Sequence, residues 1–257
     1  MICRSPNFPG RSPVAKTTIL LLSVVFFFAL VGGVSAQKKF SKTYPTGQNI
    51  VKFALLNRSG TVTVEGWDRT DINITAVLES PAANIVPQNL SGVIVINLVK
   101  DNQGRPDVGI VNFTVRVPYY AQVDIETLIG NVNITNVSSG LVRAKITSEG
   151  DISLTNIGSS SVSAENTIGD IFFDGDIQDG GTYRFSSTRG TISLHIPFNA
   201  SFRLTATAPS TRNISLGVFS NGMNIIGNGR RVIGTNGDGS AALSVTNQQG
   251  SILFFRR

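Results

Sequence analysis

Histidine, cysteine and charge are scarce in this chain. One histidine, His195, and one cysteine, Cys3, occur among 257 residues, and charged residues make up 15%. Cys3 falls in the N-terminal leader described below. The rest of the chain therefore has no disulfide, thiol nucleophile or cysteine metal ligand, and zinc sites with the usual His/Cys ligand sets are excluded. A Ser-His-Asp triad would have to be built on His195 alone. Alternation puts that residue opposite Ile192 and Leu194, on a face expected to be exposed, where a lone histidine is ordinary surface chemistry. No glycine-lysine phosphate loop occurs, and "GNGRRVIG" is glycine-rich but opens no helix. Helical periodicity is missing throughout. No run of five Lys/Arg residues exists, so nucleic acid is not an expected partner.

The first 36 residues read as a leader. Arg4, Arg11 and Lys16 precede an apolar run from Thr17 to Val34, and Val34-Ser35-Ala36 supplies small residues for cleavage before Gln37. An uncleaved anchor is the rival, because such a run just spans a bilayer; the A-x-A-like end favours a signal peptide. The membrane is an expected partner only if the leader stays uncleaved. The mature part would hold 19 Lys+Arg against 16 Asp+Glu, a mildly basic balance. No cysteine follows the apolar run, which excludes a lipidated N-terminal cysteine.

What is present is a repeat. "ITSEGDISLTNI", "TLIGNVNI", "NTIGDIFF", "STRGTISL", "NQQGSILF" and "NRSGTVTV" each carry a glycine followed by apolar residues two and four places on. The glycines are Gly60, Gly130, Gly150, Gly169, Gly190 and Gly250, and "TRNISL" is a degenerate copy with Arg212 in the glycine slot. Three residues before each glycine stand Asn57, Thr127, Thr147, Asn166, Ser187 and Asn247, expected to bond the backbone two residues on and to form a tight turn. Between the glycine strands lies a second alternating set that includes Val142-x-Ala144-x-Ile146, Tyr183-x-Phe185 and Phe202-x-Leu204. Period-two alternation means strands with one buried face. A near-constant spacing of about 20 residues means stacked rungs. We therefore predict an all-β fold, a stacked β-solenoid of two-strand repeats, over an antiparallel sandwich. Residues 37–118 read as a β-sandwich-like N-terminal cap with a hairpin around Asn102 to Pro106. Residues 119–257 read as the repeat region, and 37–257 as one continuous domain. The glycine-rich stretch Gly217 to Ser240 is an excursion before the last strand pair.

The joint "VRVPYYAQVDIETLIGNVNI", the serial T-x-x-G-D-I-x-L units and the closing "GDGSAALSVTNQQGSILF" resemble the bacterial putative-adhesin domain family, from about Phe40 to Phe255. The resemblance implies an exported, all-β, solenoid-like domain of the periplasm, cell surface or medium, with no enzymatic activity. It carries no functional residues over.

The sharpest polar feature is "GDIFFDGDIQDGG". In register, Asp151 would stand beside Asp170, with Asp174 and Asp176 in the following turn. An all-oxygen cluster of this kind suits calcium, and would suit a calcium-dependent carbohydrate-active enzyme or glycan-binding β-helix. Ordinary turn chemistry explains the same aspartates, and no catalytic residue, cofactor or metal ligand is expected. Outward Asn131, Asn133, Thr135, Ser153 and Thr155 should form a flat, uncharged face suited to contact with a surface glycan or an envelope protein.

Overall fold

The computed structural model describes residues 1–2, 38–46, 51–79, 82–106, 108–221, 223–226 and 229–257. The leader and its cleavage junction at Ala36–Gln37 lie outside the described residues, except for Met1 and Ile2. The strands, in chain order, are β1 Lys38–Pro45, β2 Lys52–Ser59, β3 Val62–Trp67, β4 Asp71–Leu78, β5 Gln88–Leu90 and β6 Val93–Asn97. After the one-turn helix α1 (Leu98–Asp101) come β7 Val111–Pro118, β8 Gln122–Ile129, β9 Val132–Thr135, β10 Val142–Glu149, β11 Ile152–Ile157, β12 Ser161–Ile168 and β13 Ile171–Gly175. The chain ends with β14 Thr182–Ile196, β15 Phe202–Thr207, β16 Ile214–Ser215, β17 Met223–Ile226, β18 Arg231–Asn236 and β19 Ala241–Arg256.

These strands make a two-sided ladder. On one face β2, β8, β10, β12 and the first half of β14 pair in parallel. On the other, β3, β9, β11, β13 and the second half of β14 do the same. Parallel pairing through the middle rules out the antiparallel sandwich. Alternation decides what lies between the faces: Val142, Ala144, Ile152, Leu154, Tyr183 and Phe185 are all buried, as are their counterparts in neighbouring rungs. Burying the Val, Ile, Leu and Phe side chains among them is worth about 1.5–3 kcal/mol each. Two phenols are buried: the Tyr183 hydroxyl donates to Ser159 O at 2.9 Å and accepts from Gln178 N–H at 2.7 Å, whereas the Tyr44 hydroxyl has no partner among the described residues. Burial pushes the Tyr183 pKa up.

Chain order and spatial order part company at both ends. The chain's first rung, β2/β3, is not terminal. It lies between β8/β9 and a rung made by β6 and β7. The stretch read as a cap thus supplies two rungs, and Gln37–Arg257 is one compact unit. The hairpin expected around Asn102 to Pro106 does not form: β6 and β7 sit on opposite faces, joined through α1. At the other end β19, and not β15, follows β14, and β15 pairs on the far side of β19. The glycine-rich excursion forms the β17–β18 hairpin, which extends the same face beyond β15. Long antiparallel strands close the second face, β4 on β7 and β1 on β4.

The corner chemistry also differs from expectation. Asn57, Thr127, Asn166, Ser187 and Asn247 form one stacked, buried column. Most of these side chains reach across rungs. Asn166 Nδ2 donates to Gly150 O at 3.2 Å, Ser187 Oγ to Gly169 O at 3.5 Å and Asn247 Nδ2 to Gly190 O at 2.8 Å. Thr127 and Asn247 keep the local bond, Thr127 donating to Ile129 O at 3.2 Å and Asn247 Oδ1 accepting from Gln249 N–H at 3.3 Å. Thr147 is not in the column. Its place is taken by Ile146, which pairs with Thr127 and Asn166, and β10 accommodates one extra residue before Glu149 as a bulge. That residue accounts for the 20-residue spacing on one side of Gly150 and 19 on the other.

Candidate functional site

The outer surface of the second face is built column by column from the register. Asn133 stands beside Ser153, and Thr135 beside Thr155, as the alternation required. Side chains on a parallel ladder recur at about 4.8 Å, so these hydroxyls and amides form a flat grid, each half-buried against its neighbours. The grid does not stay polar. Ser153 is followed by Phe172, and Thr155 by Asp174 and then His195. His195 is half-buried, not exposed as expected. Its ring lies 5.0 Å from Phe172 and 4.7 Å from Phe255, centroid to centroid. Sequence reasoning missed this because Phe255 is 60 residues away and joins the site only through the placement of β19.

The aspartates divide into two pairs at opposite ends of β13. Asp151 and Asp170 stack beside the glycine column and cap amides of the next rung. Asp151 Oδ1 accepts from Asp170 N–H at 2.8 Å, and Asp170 Oδ1 from Thr191 N–H at 2.7 Å. Asn131 does the same for Asp151 N–H at 3.0 Å. Asp174 and Asp176 instead meet Arg257. Its Nε lies 2.9 Å from the buried Asp174 Oδ1, an ion pair that falls short of hydrogen-bond angles, and its Nη1 lies 3.0 Å from Asp176 Oδ1. The structure therefore does not bring the four calcium candidates together. Among the described residues no group of three or more His, Asp, Glu or Cys side chains is placed to hold a metal ion.

Beyond β13 lies an open cavity of about 410 Å³, lined by Asp176, Asp179, Asn199 and Ser201 among others. Ser240 Oγ donates to Asp179 at 2.8 Å at its rim. Ser201 Oγ donates to the Asp238 carboxylate, holding it below the usual range, and Ser240 N–H adds a bond at 2.9 Å. These contacts tie the loops after β13, β14 and β18 together.

No curated protein matches the chain. A structure described as a putative cell adhesion protein from Clostridium sporogenes is similar over 86% of this chain and 100% of its own, with 12% identity and a TM-score of 0.52. A putative adhesin from Bacteroides fragilis aligns over 86% of this chain and 98% of its own, at 10% identity and a TM-score of 0.30. A putative lipid binding protein from Parabacteroides distasonis does so over 85% and 97%, at 8% identity and a TM-score of 0.33. The last two superpose too loosely to inform the fold. A family model described as Toastrack DUF4097 matches residues 25–253, nearly the whole two-sided ladder. The chain belongs to the Toastrack DUF4097 family.

Proposed function

We propose that this protein is a non-enzymatic, exported module of the cell envelope or surface that works by contact through its flat outer faces. The observation that carries the reading is the grid around Asn133, Ser153, Thr135 and Thr155, locked in register by parallel pairing on a rigid core. Such a surface offers donors and acceptors at fixed spacing, and its preorganisation reduces the ordering cost of binding. A surface glycan or an envelope protein fits that chemistry. The description of the similar clostridial structure as a putative cell adhesion protein supports a surface setting.

Fractionation tests the export part. The protein should leave the cytosol, and N-terminal sequencing of the exported form should begin at Gln37. An intact N-terminus in the membrane pellet would make the leader an anchor, and a cytosolic protein would end the proposal. A glycan array with and without calcium tests the contact part, where calcium should make no difference.

Calcium has a sharper test in the aspartate ladder. Asp170→Asn keeps an acceptor for Thr191 N–H while removing a charge near Asp151. It should raise stability by a few tenths of a kcal/mol, the usual worth of an exposed charge pair. Millimolar calcium should not shift the melting temperature of either form beyond what a monovalent salt of equal ionic strength does. A calcium-specific rise that vanishes in Asp170→Asn would favour the carbohydrate-active reading instead.

A further inference from the structure

The charge of this chain is segregated along the stack. Residues 119–180 hold nine carboxylates against Arg143 and Lys145, whereas residues 181–257 hold eight arginines, no lysine and a single carboxylate, Asp238. Four of those arginines, Arg189, Arg212, Arg230 and Arg231, fall on one corner, at the glycine edge of the last rungs. Arg189 ends the first half of β14, its Nε donating to Gln249 Oε1 at 3.4 Å. Arg212 stands in the 3-10 turn after β15, Thr211–Asn213. The β17–β18 hairpin folds back onto that turn, with Thr211 N–H donating to Gly229 O at 2.6 Å and Ala208 N–H to Arg230 O at 3.0 Å. Arg231 pairs with Thr207. All four side chains are exposed, and none has a carboxylate within ion-pair distance among the described residues. The row continues to exposed Arg203, four residues along β15 from Thr207, or roughly 13 Å at strand rise.

We propose that this arginine corner binds an acidic polysaccharide through its carboxylates. The guanidinium fork matches a carboxylate bidentately, which an ammonium cannot do, and the region uses arginine exclusively. Half-buried hydroxyls of Thr205 and Thr207 lie between Arg203 and Arg231, ready for sugar hydroxyls. Two other polyanions fit less well. Among the described residues none of these arginines lies over an aromatic ring, whereas single-stranded nucleic acid is held by stacking platforms. A flat anionic bilayer laid on the glycine edge would also meet Glu149, Asp151 and Asp170 and be repelled. A thread-like polymer crosses the last rungs alone.

This inference rests on the surface-module reading, and its test is kept separate from fractionation. The full chain is titrated with polygalacturonate, neutral dextran, single-stranded DNA and phosphatidylglycerol vesicles at several salt concentrations. Polygalacturonate should bind in a salt-sensitive way, and dextran should not. The triple variant Arg212→Gln, Arg230→Gln, Arg231→Gln should weaken polygalacturonate binding about ten-fold or more, the loss expected for one or two charge-assisted bonds. The variant Lys38→Gln, Lys39→Gln, Lys42→Gln changes net charge equally and should cost less than about two-fold, since it removes only screened long-range attraction. Arg203→Gln should weaken binding in the same direction as the arginine triple, and covers the case in which that triple misfolds. Equal losses in the two triples, no polygalacturonate binding, or tighter binding to DNA or vesicles would each overturn the proposal. An envelope-located protein that ignores polygalacturonate sinks the ligand class and leaves the surface-module reading standing.

Discussion

Gly150→Val is expected to lower the melting temperature by roughly 6–12 °C. The reason is a close approach between rungs. Gly150 has φ +148°, and a Cβ built there would stand 2.1 Å from Gly130 O, a backbone atom with no side chain to swing aside. The conformation alone strains a side-chain-bearing residue by about 1–3 kcal/mol. Relieving the contact also means separating rungs held by Gly130 N–H donating to Glu149 O at 2.9 Å and Gly150 N–H to Ile168 O at 2.9 Å. A total near 3 kcal/mol corresponds to that shift, at about 2–4 °C per kcal/mol for a domain of this size. Gly150→Ala should already show most of the loss, because the first carbon makes the clash. Ser153→Val, three residues on and facing outward, should change stability by less than about 0.5 kcal/mol. Circular dichroism melts decide the matter, and equal shifts for Gly150→Val and Ser153→Val would refute the assigned register. Gly250 obeys the same rule without left-handed backbone, since a Cβ there would lie 1.8 Å from Gly190 O.

Removing Gly250–Arg257 should abolish folding, although it deletes only the chain's last eight residues. Terminal strands usually fray at little cost, but this one is interior. The second half of β19 pairs with β14 from Gly190↔Gly250 to Ile196↔Arg256, and β16 pairs on its other side. Ile252 is 0% exposed and Phe254 3%, and the Phe254 ring lies 6.3 Å from that of buried Phe219. Losing two such side chains costs about 2–5 kcal/mol each. The deletion also strips ladder partners from Thr191 to Ile196 and removes Arg257 from Asp174 and Asp176. The sum rivals the ~5–15 kcal/mol that holds a whole domain together. Deleting Lys38–Pro45 is the matched comparison: a strand of equal length, mostly exposed, paired with β4 alone. That variant should fold and melt a few degrees lower. A soluble, cooperatively melting chain without Gly250–Arg257 would show that β19 is not interior.

Much of this architecture was legible from local pattern. Which residues face inward follows from alternation, so Val142, Ala144, Tyr183 and Phe185 could be named as core without coordinates. The repeat length and the glycine column follow from spacing, because each rung must return to the same corner. The polar grid on the second face followed too, since opposite faces alternate strictly along a strand.

Other features could not be read locally. An extra residue between Ile146 and Glu149 shows in the spacing, but whether the column holds Thr147 or Ile146 depends on pairing with β8 and β12. The corner side chains were expected to bond within their own turns; Thr127 and Asn247 do, but Asn166, Ser187 and Asn247 also reach carbonyls of the next rung, which exists only once the stack forms. His195 is flanked by Phe172 and Phe255, and the arginine corner needs the β17–β18 hairpin to lie against Thr211. The order of rungs is the largest such feature. The sequence by itself determined the rung: its length, its inward residues and its glycine corner. Only the tertiary structure decided that β2 and β19 lie inside the stack, because a parallel strand can pair on either edge with the same side chains turned inward. The choice is made by the connections that cross over it and by the buried surface at each end.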